Sequence, residues 1–289
     1  MPKNSTILFA FILLVLGNLF ATFVDVIVKL LATDVSIYQY IFLRQLAVLA
    51  LMFPLWLKLP EASKQRGNNK VYAARAILTN IGAPSAVVAL LYLPLATANV
   101  IFYSAPLFTI ILATILLKEK IKIHRVAVTL MGFIGVAVAL RPEYFGIAGL
   151  LAVCTALAVA GYNLSVKWLP KNSSTINTIF WSNLFTIPLT GIIALFNWQP
   201  ITFDMILLSV GSCVCLIIYQ GCSIMAFQKA DAGAITVAEY SGLIFAAALG
   251  WLLFSEPLDL WTVFGITLII VPITWQSWFE HRQEKAIMV

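Results

Sequence analysis

Apolar runs of about twenty residues succeed one another along nearly the whole chain, each separated from the next by a short break rich in charge or turn formers. A helix rises about 1.5 Å per residue, so a run of this length crosses a hydrocarbon core about 30 Å thick. Ten runs are read this way, near residues 7–32, 36–57, 71–93, 96–118, 122–140, 145–169, 175–196, 203–228, 233–254 and 259–278. Lipid offers no partner to backbone polar groups, and the runs lack the alternation of a barrel strand, so helices are the expected form. The first run is too long, and lacks a small-residue cleavage site before a polar mature start, to read as a removable signal peptide. It counts as helix one.

Composition agrees with this reading: 62% of the residues are hydrophobic and 10% charged, against roughly 45–50% and 25% in soluble domains. Spans and short loops use up nearly all 289 residues, which leaves no surplus for a soluble domain. The net charge of +6 is explained by where the positive residues fall. With the N-terminus inside, the inner segments hold Lys3, Lys58, Lys64, Arg66, Lys70, Arg75, Lys118, Lys120, Lys122, Arg125, Lys167, Lys171, Lys229, Arg282 and Lys285, which is 15 of 18. Arg141 falls outside, and Lys29 and Arg44 fall within spans. That bias predicts both termini in the cytoplasm, and no nucleic-acid partner is needed to explain the basic pI. Cys154, Cys213, Cys215 and Cys222 all lie inside spans without a Cys-x-x-Cys pair and read as small packing residues. His124 and His281 sit at helix ends without zinc-ligand spacing, so no metal or cofactor is expected.

The chain also matches itself. Shifting residues 25–45 by 138 positions lays DVIVKLLATDVSIYQYIFLRQ over NLSVKWLPKNSSTINTIFWSN, with 6 identities in 21, Lys29 over Lys167 among them. Shifting residues 95–119 by 137 lays LATANVIFYSAPLFTIILATILLKE over AGAITVAEYSGLIFAAALGWLLFSE, with 7 identities in 25, including Tyr103 over Tyr240 and Glu119 over Glu256. Helices one to five therefore correspond to helices six to ten. Five is odd, so the second half enters the membrane inverted, an arrangement characteristic of secondary transporters that rock two halves about a site near the midplane. The fold class read from the sequence is an all-α integral membrane protein of ten helices in two inverted repeats, residues 1–143 and 144–289.

The stretch ALLYLPLATANVIFYSAPLFTIILATILLKEKIKIHRVAVTLMGFIGVAVAL from Ala89 resembles the repeat of the EamA family, within the drug/metabolite transporter superfamily. The matching features are the Leu-Pro before helix four, Pro106 within it, the Lys-Glu at its end, and Gly132 and Gly135 in helix five. The second half, ending in FSEPLDLWTVFGITLIIVPI, keeps Glu256 but has Leu243 where the first half has Pro106. The resemblance implies a ten-helix carrier with a central cavity in a bacterial cytoplasmic membrane, and says little about the solute.

Ionisable and hydrogen-bonding residues within the spans are the candidate site, because such groups are costly in lipid. Thr236, Glu239 and Tyr240 are spaced i, i+3 and i+4 and share a face of helix nine. Asn99, Phe102 and Tyr103 occupy the matching face of helix four. Glu239 is the first choice for contact with a solute or a proton, with a buried structural partner to a cation as the alternative. The two tyrosines either line a cavity or pack an interface. Asp25 and Lys29 stand i, i+4 on helix one and are expected to pair along one face. Arg44 lies about eight residues into helix two, placed to pair with Asp25 or to bind an anionic group. Tyr162 and Asn163 on helix six, Tyr219 and Gln220 on helix eight, and Asn80 and Ser85 near Pro84 on helix three are additional lining candidates. Ala238, Gly242, Ala246 and Gly250 form a small-residue stripe for close helix packing, echoed by Ala105, Thr109 and Ala113.

These features favour a carrier that moves a small polar, amino-acid-like metabolite by alternating access, with Glu239 coupling it to protons. Uptake of a larger cofactor-like solute, such as riboflavin or S-adenosylmethionine, is the alternative, since two tyrosines and two acids would suit it. A lipid flippase or non-transporting membrane subunit is a reading of another class. No Gly-x-Ser-x-Gly, His-Glu-x-x-His or Gly-x-Gly-Asp signature supports an enzyme. The expected partners are a small-molecule substrate and the lipid bilayer, with a homodimer left open.

Overall fold

The computed structural model of the protein describes residues 4–31, 36–117, 127, 130–138, 146–170, 173–229, 238, 240–257 and 259–287. Among them every regular element is helical. The helices are α1 (Asn4–Lys29), α2 (Ile37–Leu57), α3 (Asn69–Tyr92), α4 (Leu95–Phe102), α5 (Ala105–Leu117), α6 (Ile147–Leu164), α7 (Thr175–Phe196), α8 (Phe203–Lys229), α9 (Ser241–Phe254) and α10 (Leu260–Ile287), and residues 130–138 are helical as well. Among the described residues seven segments are long and apolar enough to cross a membrane, and α9 and the stretch Leu260–Pro272 are shorter apolar helices.

α4 and α5 together make one such segment, Leu95–Leu116, interrupted by a turn at Tyr103 and Ser104. The sequence has proline at position 106, a residue with no N–H to give to the carbonyl four residues back, that of Phe102, which is where α4 stops. The Ser104 hydroxyl and N–H both bond to the Ile101 carbonyl, at 2.5 and 3.0 Å, and so satisfy the loosened backbone. The residue before a proline disfavours the helical region as well, and Leu93 ends α3 in an extended conformation ahead of Pro94.

The outer surface of the bundle is apolar, and its apolar core also holds polar side chains. Large apolar side chains such as Phe196, Leu260 and Phe264 face outward, whereas Asn18, Thr22, Asn80, Thr97, Asn99 and Thr190 are buried. Lipid supplies no hydrophobic force between helices, so small residues and interhelical hydrogen bonds hold them together, at about 0.6–2 kcal/mol for each bond. The Thr190 hydroxyl donates to Asn80 Oδ1 at 2.8 Å, joining α7 to α3, and Tyr40 of α2 donates to Ser212 of α8 at 2.8 Å. Gln39 of α2 makes two bonds to the backbone of Gln199, at 2.8 and 2.9 Å.

α1 lies along α8, α3 along α6 and α2 along α7, while α9 packs on α1 and α4. The stripe Ala238, Gly242, Ala246, Gly250 is buried throughout; Tyr103 packs over Gly242, and Leu95 and Ala96 of α4 over Gly250. Gly135 of the helical residues 130–138 packs against the backbone of Gly265 in α10.

Candidate functional site

α1 carries a polar stripe, Asn18, Thr22, Asp25 and Lys29, at spacings of four, three and four that place all four on one helix face. Each contacts something different. Asn18 Nδ2 donates to the Ala238 carbonyl at 2.9 Å and to Ser241 Oγ at 3.1 Å, fastening the start of α9. Thr22 donates back to the Asn18 carbonyl at 2.9 Å. Asp25 Oδ2 accepts from Asn99 Nδ2 of α4 at 3.0 Å, and the same amide group donates to the Leu95 carbonyl at 3.1 Å. Lys29 forms an ion pair with Glu256 and donates to the Leu93 carbonyl at 2.7 Å.

The i, i+4 pairing expected between Asp25 and Lys29 is therefore replaced by two tertiary contacts. An intrahelical pair leaves both long side chains half-solvated, whereas α4 and the turn after α9 present each with a partner of the right polarity. Asp25 is half-buried within the span and held by a neutral amide. Arg44 of α2 stands within electrostatic range of Asp25 and of Cys213 on α8, its guanidinium 5.4 Å from the Tyr40 ring centre. Among the described residues Asp25 and Arg44 do not join in a salt bridge, so the carboxylate and the guanidinium interact only at longer range.

One turn further along α4 from Asn99, the half-buried Tyr103 meets the buried Tyr240, with ring centres 6.2 Å apart and planes tilted by 44°. Position 242 has to be glycine for this: a β-carbon there would sit on the Tyr103 phenol, 2.5 Å from Cζ. The structure thus gathers Asp25, Asn99 and Arg44 in one layer and Tyr103 with Tyr240 in the next. Glu239 and Thr236 lie outside the described residues.

Tyr162 and Asn163 fall elsewhere. Arg75, counted from the sequence as an inner-loop charge, is 3% exposed inside α3. Its Nε donates to Ser182 at 2.9 Å, its Nη1 to Ser165 at 2.7 Å and to the Tyr162 carbonyl at 3.0 Å, and the guanidinium stacks 3.6 Å from the Tyr162 ring centre. Tyr162 is thereby engaged in a clamp joining α3, α6 and α7, and Asn163 next to it is exposed. Tyr219 and Gln220 are half-buried on α8. The Tyr219 ring borders Gly17 of α1, where a β-carbon would stand 3.6 Å from its Cδ2. Asn80 is taken up by α3–α7 bonding, and Ser85 bonds the Ile81 carbonyl of its own helix at 2.7 Å. Sequence reasoning passed over Asn18 and Thr22 as site residues, although their i, i+4, i+7 spacing from Asp25 in an apolar helix was a visible signal.

The sequence matches the EamA-like transporter family twice, over residues 8–141 and 146–277. The chain belongs to that family. An S-adenosylmethionine uptake transporter of Rickettsia felis is 32% identical over 267 residues, covering 91% of this chain and 89% of the relative. A riboflavin transporter of Vibrio cholerae is 30% identical over 217 residues, covering 73% and 72%. A solved crystal structure shares the fold at a TM-score of 0.65 and 17% identity, over 98% of this chain and 99% of the other. This EamA-family chain is a multi-pass cell-membrane transporter of a small-molecule substrate, and not an enzyme.

Proposed function

We propose that the transporter takes up a zwitterionic metabolite that carries an aromatic group, of the S-adenosylmethionine kind. The observation that carries this reading is that Asp25, bonded by Asn99, lies within electrostatic range of Arg44 without an ion pair between them. A carboxylate and a guanidinium near each other but not paired suit an ammonium and a carboxylate on one solute. The tyrosine pair one turn away suits a planar ring and, through its π-faces, a positive charge. Relatives about 30% identical over nine-tenths of the chain carry the name S-adenosylmethionine uptake transporter, which favours this over a simple amino acid. Riboflavin, named for the Vibrio relative, has no zwitterion to use both charges.

The surrounding architecture is proposed as ten spans in two inverted repeats, residues 1–143 and 144–289, with both termini in the cytoplasm. In support, exchanging the halves turns the α1–α8 contact into the α3–α6 contact and leaves α2–α7 paired with itself. The Lys/Arg bias supports the orientation. Glu239, adjacent in sequence to Tyr240, is the proposed coupling carboxylate.

The test is uptake of labelled S-adenosylmethionine into liposomes containing the pure protein, with unlabelled S-adenosylmethionine, methionine, adenosine and riboflavin as competitors. Saturable uptake that Asp25→Asn and Arg44→Gln each weaken tenfold or more in apparent affinity, with S-adenosylmethionine the best competitor, supports the reading. Uptake of riboflavin alone, or variants that leave affinity unchanged, overturns it.

A further inference from the structure

Lys29 and Glu256 lie one helical turn beyond Asp25 and Asn99, at the end of the bundle where α1 and α9 finish and α4 begins. Glu256 reaches this point through a backbone device. Ser255 takes a left-handed conformation with φ 52°, and the Glu256 N–H bonds the Gly250 carbonyl at 3.1 Å, so the chain folds back over the end of α9. Gly250 leaves room for the carboxylate, since a β-carbon there would come within 2.9 Å of Glu256 Oε2.

The two charges also answer three helix ends. Glu256 Oε2 accepts from the Leu95 N–H at 2.7 Å, an unpaired donor in the first turn of α4 where the helix dipole favours an anion. The Lys29 ammonium donates to the Leu93 carbonyl that ends α3, where a cation is favoured, and stands 5.4 Å from the Phe254 ring centre at the end of α9. Both side chains are largely withdrawn from solvent, at 13% and 18% exposure. Beside them a cavity of only about 10 Å³ remains, bordered by Pro94, Thr97, Gly250, Glu256 and Thr262, room for about one water.

We propose that Lys29 and Glu256 form a latch that seals this end of the solute path directly over the Asp25–Asn99 layer, and that transport requires this end to open against the latch. The latch joins α1 of the first half to the turn after α9 in the second, so it reports on the relative position of the halves. Its partners are ends of helices, which separate when one half rocks against the other. A single ion pair with backbone bonds suits the task, because it biases an equilibrium without locking it. This inference rests on the carrier reading and is independent of which solute is carried.

The test is thiol accessibility below the latch, which needs no substrate. Asn99→Cys is placed in a background with Cys154, Cys213, Cys215 and Cys222 replaced by Ala, and labelled with a membrane-impermeant maleimide from either face of the membrane. With the latch intact, labelling from the face at the end of α1 is slow. Adding Glu256→Gln or Lys29→Met raises that rate about tenfold, as expected when a closed state held at about 1% open moves toward 10%, and leaves the rate from the other face unchanged or lower. A second arm joins Lys29→Cys to Glu256→Cys with a reducible bifunctional methanethiosulfonate. Transport stops on cross-linking and returns on reduction. Unchanged labelling rates, acceleration from both faces alike, or transport that continues through the cross-link would each overturn the latch.

Discussion

The phenol of Tyr103 fills the space that a side chain at Gly242 would occupy, so a buried glycine in α9 sets the position of an aromatic ring in the turn after α4. The tilt of Tyr103 against Tyr240 follows from this contact, because the ring has nowhere to turn on that side. Gly242→Ala is therefore expected to push the Tyr103 ring aside, break the pair and lower transport at least tenfold. Gly221→Ala is the matched control, since a β-carbon there meets nothing within 4 Å. It should keep transport and raise thermal stability slightly, a mid-helix glycine costing about 0.5–1 kcal/mol relative to alanine. Uptake rates and melting curves of the two variants side by side decide the point.

Arg75 is a buried cation with no carboxylate partner among the described residues, stabilised by two serine hydroxyls, a carbonyl and the Tyr162 face. Lysine keeps the charge but cannot present the planar fork or the stacking surface. Arg75→Lys should cost about 2–3 kcal/mol and lower Tm by about 5–10 °C. The solute affinity of the protein that remains folded should be unchanged, because the clamp lies on α3, α6 and α7, away from the Asp25 layer. A large affinity change at normal Tm would place Arg75 in the solute path.

Much of the fold was visible in the sequence because a bilayer imposes a length and an apolar composition on each span, and α1, α2, α3 and α7 end within a few residues of the expected limits. The interruption of helix four at Tyr103 and Ser104 was signalled by Pro106 but not used. The Tyr103–Tyr240 pair was legible because both residues recur at matched positions of the two halves. Lys29 shows the limit. Its sequence neighbour Asp25 satisfied the helical pairing rule, whereas the true partner, Glu256, lies 227 positions away and is brought in by the left-handed Ser255 turn. Ion-pair choice depends on which helix ends meet, and spacing within one helix does not contain that information. Arg75 was misplaced for a related reason: its position near the inner end of a span fitted the positive-inside bias, and only packing against α6 and α7 shows it buried.

The Ser255 turn yields a prediction of its own. A left-handed backbone costs an ordinary residue about 1–2 kcal/mol and a glycine nearly nothing. Ser255→Gly should preserve the turn, raise Tm by a few degrees and leave transport intact. Ser255→Val adds a β-branched residue at φ 52°, where such residues are outliers, so Glu256 should lose its register over Gly250 and transport should fall. Equal behaviour of the two variants would mean that the turn is not what delivers Glu256 to Leu95.

Asp25 lies within a span and the sequence pattern predicts the same of Glu239, and their proposed roles predict different failures. An acid that binds the solute is needed whenever solute is carried, including one-for-one exchange between labelled and unlabelled pools, which moves no net charge or proton. An acid that couples transport to protons is needed only for accumulation against a gradient. Asp25→Asn removes the charge while keeping a group that Asn99 can still bond, so it should abolish exchange and pH-driven uptake together. Glu239→Gln should retain exchange within about threefold and lose the pH-driven accumulation, by the logic that a ligand with no differential interaction cannot shift the two-state equilibrium. Counterflow and pH-jump uptake measured on the same liposomes separate the two. If Asp25→Asn keeps exchange and loses only the gradient response, Asp25 is the coupling carboxylate, and the cationic end of the solute is bound elsewhere.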